Sequence, residues 1–248
     1  MDEILIREIG KIPLFWYDTL DSTNSEAKRR AAELALPAVI VADAQSAGRG
    51  RMGRSFFSPR GTGLYFSYVT DRIAPAETVG LTAAAAVATA RAIRAVTGIE
   101  VEIKWVNDLL QNGKKVAGIL CERFAVEDRT CVVVGIGINL STAEHDFPEE
   151  LREKAGSLGM REDVRRRLAQ ALAEELHTLL CTLPDHTFMA EYRARSAVLG
   201  RRVRYTQNGV TYEGEAVTID DDGALCVKTD GQTVRLGSGE ISLSYENL

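Results

Sequence analysis

Apolar residues recur along this chain at spacings that predict both strands and helices. Phe15-Trp16-Tyr17 reads as a strand, and Val39-Ile40-Val41 and Leu64-Tyr65-Phe66 are further apolar segments. Asp21-Ser22-Thr23-Asn24-Ser25-Glu26 leads into the alanine- and charge-rich stretch from Ala27 to Leu34, and Thr23 and Glu26 have the spacing of a capping box. Thr23 is therefore expected to accept from the free amides of a helix start, where amides and dipole also suit a polar ligand. The alanine-rich run from Ala76 to Val96, stopped by Gly98, predicts a long, closely packed helix. Ile99 to Trp105 alternates as a strand does, and Cys131 to Ile138 supplies another. Asn112-Gly113 between two apolar runs is a type I′ hairpin signal. Val164, Leu168, Leu172, Leu176 and Leu179 mark a helix over Val164 to Leu180, and a shorter one follows from Thr187 to Val198.

Short strands joined by hairpins around two or three helices predict an α+β fold with a mainly antiparallel sheet and flanking helices. After Gly200 the pattern changes. Asn208-Gly209, Asp222-Gly223 and Asp230-Gly231 punctuate runs such as Arg202-Val203-Arg204-Tyr205 and Ala224-Leu225-Cys226-Val227, the signature of a meander. We expect a main domain over residues 1–196 and a small β-barrel over 197–248.

Composition narrows the function. A 248-residue chain with 45% hydrophobic residues can bury a substantial core. Its net charge of −5 and pI near 5.4 oppose a nucleic-acid footprint. No apolar run approaches the roughly 20 residues of a membrane span, and Met-Asp-Glu-Ile at the start lacks a basic leader, so a cytoplasmic protein is expected. Cys121, Cys131, Cys181 and Cys226 form no C-x-x-C pair and are expected to be reduced thiols in the core. His145, His177 and His186 lack metalloprotease spacing, so any metal should arrive with a substrate.

One stretch breaks from this acidic background. GRGRMGRSFFSPRGTGLYFS, beginning at Gly48, holds four arginines and five glycines. Glycine lets backbone approach a ligand closely, and arginine offers a fork of donors suited to carboxylate and phosphate oxygens. The combination points to an anion, with a solvated basic turn as the plain alternative. Gly135-Ile136-Gly137 lacks the third glycine of a dinucleotide-binding turn.

Read in order, Ser22-Thr23-Asn24, Gln45 with Gly48 to Arg54, Lys104-Trp105-Val106-Asn107-Asp108, Lys114 to Leu120 and Gly135-Ile136-Gly137-Ile138-Asn139 together resemble biotin protein ligases over nearly the whole chain. The resemblance implies a class II synthetase-like catalytic domain with an SH3-like barrel, and a two-step activity. Biotin and ATP, the latter with Mg2+, would give biotinyl-5′-AMP, and biotin would then pass to a lysine of a biotin carboxyl carrier protein.

By matching positions, Ser22, Thr23, Asn24 and Gln45 should contact biotin together with Arg49, Gly50, Arg51, Lys115 and Gly118, and Gly48, Arg49, Gly50 and Arg51 should close over the adenylate. Arg49, Arg51 and Lys115 carry the catalytic charge, and Gly118 keeps its strand clear of the ligand. Arg54, Phe56, Asn107 and Asn139 fall on the nucleotide side, with Phe56 either stacking on adenine or plugging the closed site. Asp108 would support the shell or hold magnesium on the phosphates. The family usually has proline at Val106 and often tryptophan at Phe56, which should loosen the turn and shrink a stacking face. A lipoyl or octanoyl transferase is the alternative reading. A DNA-binding regulator is not expected, because the catalytic pattern starts within the first twenty residues. A homodimer is left open.

Overall fold

The computed structural model describes residues 3–9, 12–73, 80–207, 209–229, 231–237, 239 and 241–243. Its main body is an eight-stranded sheet formed by β1 (Glu3–Ile9), β2 (Ile12–Tyr17), β3 (Ala38–Ala42), β4 (Gly63–Thr70), β5 (Glu102–Lys104), β6 (Asp108–Gln111), β7 (Lys114–Val126) and β8 (Arg129–Asn139). The spatial order is β1-β2-β3-β4-β8-β7-β6-β5. Only β2 and β3 run parallel, and the helix between them, α1 (Thr23–Arg30), makes that crossover. The sheet is therefore mixed but mainly antiparallel, as the hairpin signals predict.

Both faces of the central strands are covered, which explains their unbroken apolar runs. Val39 and Val41 point into the large core beneath α2 (Leu81–Thr97), α3 (Arg165–Cys181) and α4 (Phe188–Ala194), whereas Ala38, Ile40 and Ala42 face the smaller cluster under α1. Alternate residues of one strand thus serve two layers. Ala83 to Ala86, Ala88, Ala90 and Ala92 of α2 are buried and let that helix approach its neighbours closely. It ends as predicted at Gly98, whose φ of 74° is the left-handed cap and whose N–H donates to Arg94 O at 2.8 Å. Residues 76–79 of the expected helix lie outside the described residues. Asn112 and Gly113 have φ of 52° and 76°, as a type I′ turn requires.

Several expectations need correcting. Helix α1 starts at Thr23 and ends at Arg30, with Ser22 at the cap position and no side-chain capping bond. Thr23 spends its hydroxyl elsewhere and Glu26 pairs with Arg29, so the capping box is not formed. Only Glu102–Lys104 of the Ile99–Trp105 segment pairs as a strand, and the last helix is shortened to Phe188–Ala194. Cys131 and Cys226 are buried, but Cys181 is exposed on α3.

The C-terminal unit is an antiparallel sheet of β9 (Arg202–Gln207), β10 (Val210–Ile219), β11 (Leu225–Thr229), β12 (Gln232–Leu236) and β13 (Ile241–Leu243), in the order β12-β11-β10-β9-β13. Among the described residues its two end strands do not pair with each other, so the ladder stays open where a closed barrel is expected. Val203, Tyr205, Ile219 and Leu225 belong to the same apolar core as α2 and α3. Trp105 Nε1 donates to Gly223 O at 2.9 Å across the junction, beside the Arg193–Asp221 ion pair.

Candidate functional site

A cavity of about 600 Å³ opens where the start of α1, the arginine loop, strands β6 to β8, the 151–155 turn and β13 converge. Each wall has a local cause.

The α1 end is a buried hydrogen-bonded chain. Gln45 Nε2 donates to Ser58 Oγ at 2.9 Å, which turns its Oε1 toward Thr23 to accept from the backbone N–H at 2.9 Å and the hydroxyl at 3.2 Å. Ser67 Oγ lies 2.8 Å from Thr23 Oγ1 and donates to Asn24 Oδ1 at 2.6 Å. Asn24 Nδ2 then donates to Leu120 O at 3.2 Å and Glu122 Oε2 at 2.9 Å. Both amide side chains are thus held in one orientation by their partners. Ser22, Thr23 and Asn24 are each buried against this wall.

The arginine loop is a small hairpin rather than a loose turn. Gly50 N donates to Arg54 O at 2.7 Å and Phe56 N to Gly48 O at 2.9 Å, while Arg49 bridges to Ser55. Met52, at its tip, has φ of 55° and is 75% exposed. Arg49 reaches Glu122 Oε1 at 3.1 Å, and Arg51 donates to Asn107 Oδ1 at 3.0 Å. Gly48 lies behind the lining, where a Cβ would meet Phe56 O and come 2.6 Å from Ser58 Oγ.

The sheet supplies the floor and the third cation. Gly118 and Gly137 are cross-strand partners, and the ring of Phe56 lies on both. A Cβ on Gly118 would come 3.3 Å from that ring and 3.1 Å from Lys115 Nζ, and one on Gly137 would overlap the ring. Phe56 meets Tyr65 edge-on at 6.5 Å. Lys115, the second residue of β7, pairs with Asp108 Oδ1 at 2.6 Å. Its backbone is clamped by Lys154 O and Gly156 N, each at 2.8 Å.

The turn opposite Lys115 is fixed from below. Asn107 Nδ2 donates to Ile119 O at 3.0 Å, and Tyr192 OH donates to Val106 O at 3.1 Å. Burial pushes the Tyr192 phenol up, so it stays a donor. The Trp105–Val106 peptide is cis. The two hydrogen bonds hold the turn on the sheet and on α4. Arg49, Arg51, Arg54, Lys104, Lys115 and Lys154 line the cavity against Asp108 and Glu153, so its field is positive and suited to oxyanions.

Ser22, Thr23, Asn24, Gln45, Arg49, Gly50, Arg51, Arg54, Phe56, Asn107, Lys115 and Gly118 all line this one space. Asn139 does not. Its Nδ2 donates to Gly156 O at 2.9 Å, so it ties the strand end to the 156 turn instead of facing a nucleotide. Asp108 serves as the partner of Lys115. No cluster of three metal-ligating side chains occurs among the described residues.

Residues 16–139 match the model of the biotin/lipoate A/B protein ligase family, and residues 198–244 match the biotin protein ligase C-terminal domain. The chain belongs to the biotin/lipoate A/B protein ligase family. The bifunctional ligase/repressor BirA of Bacillus subtilis is 36% identical over 249 residues, covering 93% of this chain and 74% of that one. The biotin--[acetyl-CoA-carboxylase] ligase of Mycobacterium tuberculosis is 36% identical over 234 residues, covering 89% and 85%. Among solved structures, the biotin protein ligase from Aquifex aeolicus in complex with biotin and ATP superposes with a TM-score of 0.78 at 28% identity, covering 93% of this chain and 98% of that one.

In this ligase-family chain Ser58, Ser67 and Glu122 orient the α1 wall without facing the cavity, and Ile241, Ser242 and Leu243 border it from β13, none of them expected from the sequence. Serines carry no distinguishing spacing, and β13 reaches the site only through the tertiary fold.

Proposed function

We propose that this protein is an ATP-dependent biotin protein ligase that forms biotinyl-5′-AMP and then biotinylates a lysine of a biotin carboxyl carrier protein. The observation that carries the reading is the meeting, in one cavity, of the Ser22–Asn24 and Gln45 wall with Arg49, Arg51 and Lys115. In the first step the biotin carboxylate attacks the α-phosphorus and pyrophosphate leaves. Two anions must approach, so the barrier falls where fixed cations receive the developing charge.

The α1 wall takes the ureido ring, because Gln45 and Ser22–Asn24 present donors and acceptors already oriented by internal bonds. Lys115 meets the carboxylate and α-phosphate oxygens. Arg49 and Arg51 close over the biotin carboxylate and the phosphate, with Gly50 permitting the approach, and Asn107 and Arg54 lie toward the nucleotide. Magnesium arrives with ATP as part of that substrate. In the second step the carrier lysine amine attacks the acyl carbon, forming an amide and releasing AMP, while the arginine loop keeps water from the anhydride. Residues 1–196 form the catalytic unit, and residues 197–248 support its nucleotide side through Trp105–Gly223 and β13.

The test is incubation with biotin, magnesium-ATP and an apo carrier domain, followed by mass spectrometry. One biotinyl increment on one lysine is expected. Preferential transfer of lipoate in competition, or no transfer beside an active control ligase, would overturn the reading.

A further inference from the structure

Glu122 lies on β7, outside the cavity lining, yet it holds two residues that face it. Its Oε2 accepts from Asn24 Nδ2 at 2.9 Å, and its Oε1 accepts from Lys28 Nζ at 2.7 Å and faces Arg49 at 3.1 Å. One carboxylate therefore serves two cations. They are not equivalent. Lys28 belongs to α1, makes the shorter contact and sits over the Phe124 ring, with its side chain 27% exposed. Arg49 is 46% exposed and rides on a loop between Gly48 and Gly50. Breaking a part-buried ion pair is costly mainly because it strands a charge. If Arg49 leaves, Glu122 keeps Lys28 and Asn24, and nothing is stranded. Burial opposes ionisation of Glu122, but Lys28, Asn24 and Arg49 outweigh it and hold the carboxyl below its ordinary value.

We propose that Glu122 is a surrogate anion: it holds Arg49 beside the cavity until a ligand arrives, and it hands that arginine to the negative group of the incoming ligand. The inference rests on the reading above of Arg49 as a partner of the biotin carboxylate and the adenylate phosphate. Glu122 acts through Arg49 and is a positioning residue. Two perturbations then have opposite signs. Neutralising Glu122 removes the competitor, so a charged ligand should bind tighter. Removing Lys28 leaves Arg49 as the sole cationic partner of Glu122 among the described residues, so the same ligand should bind more weakly. A ligand with the same rings and no charge should ignore both changes.

The experiment is calorimetric titration of biotin and biotin methyl ester into wild type, Glu122→Gln and Lys28→Met, with thermal melts to establish folding. Glutamine keeps an acceptor for Asn24 Nδ2. Biotin should bind about threefold tighter to Glu122→Gln and about threefold weaker to Lys28→Met, the scale of a part-exposed ion pair, while the ester stays unchanged. In an Arg49→Met background the effect of Glu122→Gln on biotin should vanish. Persistence there would make it a through-space field of the carboxylate and overturn the hand-over. So would changes of the same sign in both variants, changes shared by the ester, or no change. If Glu122→Gln does not fold, the Lys28→Met result decides alone. Failure of wild type to bind either ligand would instead remove the ligand assignment, and the hand-over with it.

Discussion

Replacing Gly135 by alanine should dislodge Asn24. Gly135 sits between Ser67 and Leu120 in register, and a Cβ there would overlap Asn24 Oδ1 and come within 2.7 Å of Cγ and 2.8 Å of Nδ2. Its φ is not left-handed, so alanine meets no backbone penalty. What must yield is the Asn24 amide, which is 3% exposed and held by Ser67 at 2.6 Å, Leu120 O at 3.2 Å and Glu122 at 2.9 Å. Two neutral bonds at about 1 kcal/mol each and one charged bond at about 2 kcal/mol set a ceiling near 4 kcal/mol. Partial relaxation brings the expected loss to about 2 kcal/mol, within the range of overpacked cores. For a chain of this size that lowers Tm by roughly 4–8 °C. Biotin affinity should fall by at least about tenfold, since a displaced contact is worth upward of 1.4 kcal/mol. Circular-dichroism melts and biotin titrations measure the two losses separately. Asn24→Ala removes the same bonds, so adding Gly135→Ala to it should cost little further melting temperature or affinity, a non-additivity expected of residues in contact. Unchanged Tm and Kd in Gly135→Ala, or simple additivity in the double variant, would refute the argument.

Lys115→Ala should fold normally, as a part-exposed residue 34% accessible, yet form adenylate about 10²–10³-fold more slowly; pyrophosphate release at the wild-type rate would remove Lys115 from the chemistry. Arg51→Gly breaks the contact with Asn107 and frees the loop, so adenylate should form but escape sooner. Increased labelling of serum albumin mixed with that variant, biotin and ATP is the expected sign, and equal labelling with unchanged adenylate dissociation counts against it. Trp105→Phe deletes the donor to Gly223 O, which should cost about 1 kcal/mol and raise KM for ATP while leaving biotin affinity intact. Equal effects on both substrates would mean that the C-terminal sheet supports the whole site and not its nucleotide side.

What the sequence revealed and what it hid divide along the range of the forces involved. The Asn112-Gly113 turn and the Gly98 stop are local chemistry and appear where predicted. Val39-Ile40-Val41 stood out because both faces of β3 are buried. The parallel pairing of β2 with β3 could not be seen, because it depends on where α1 lands. The capping-box spacing at Thr23 and Glu26 misled, since a distant acceptor, Gln45, competes for the Thr23 hydroxyl. Glu122 and Ser67 are separated from Asn24 by 98 and 43 positions. Only the folded sheet shows that they set its amide. Asn139 was placed at the nucleotide by its motif position alone, yet its side chain donates to Gly156 O.

The floor of the cavity has a bearing on resistance. Phe56 rests on Gly118 and Gly137, adjacent positions of two hydrogen-bonded strands that offer a ligand only peptide groups once the ring moves aside. Apart from Lys115, whose Nζ lies beside Gly118, a compound seated on these two positions would meet peptide groups that no substitution removes. Every single substitution at either glycine adds at least a Cβ, and at Gly137 that atom already overlaps the ring of Phe56. A change that excluded the compound would also evict the aromatic residue that covers the floor. Selection against such an inhibitor would have to act through the surrounding loops, where the arginines handle the charge.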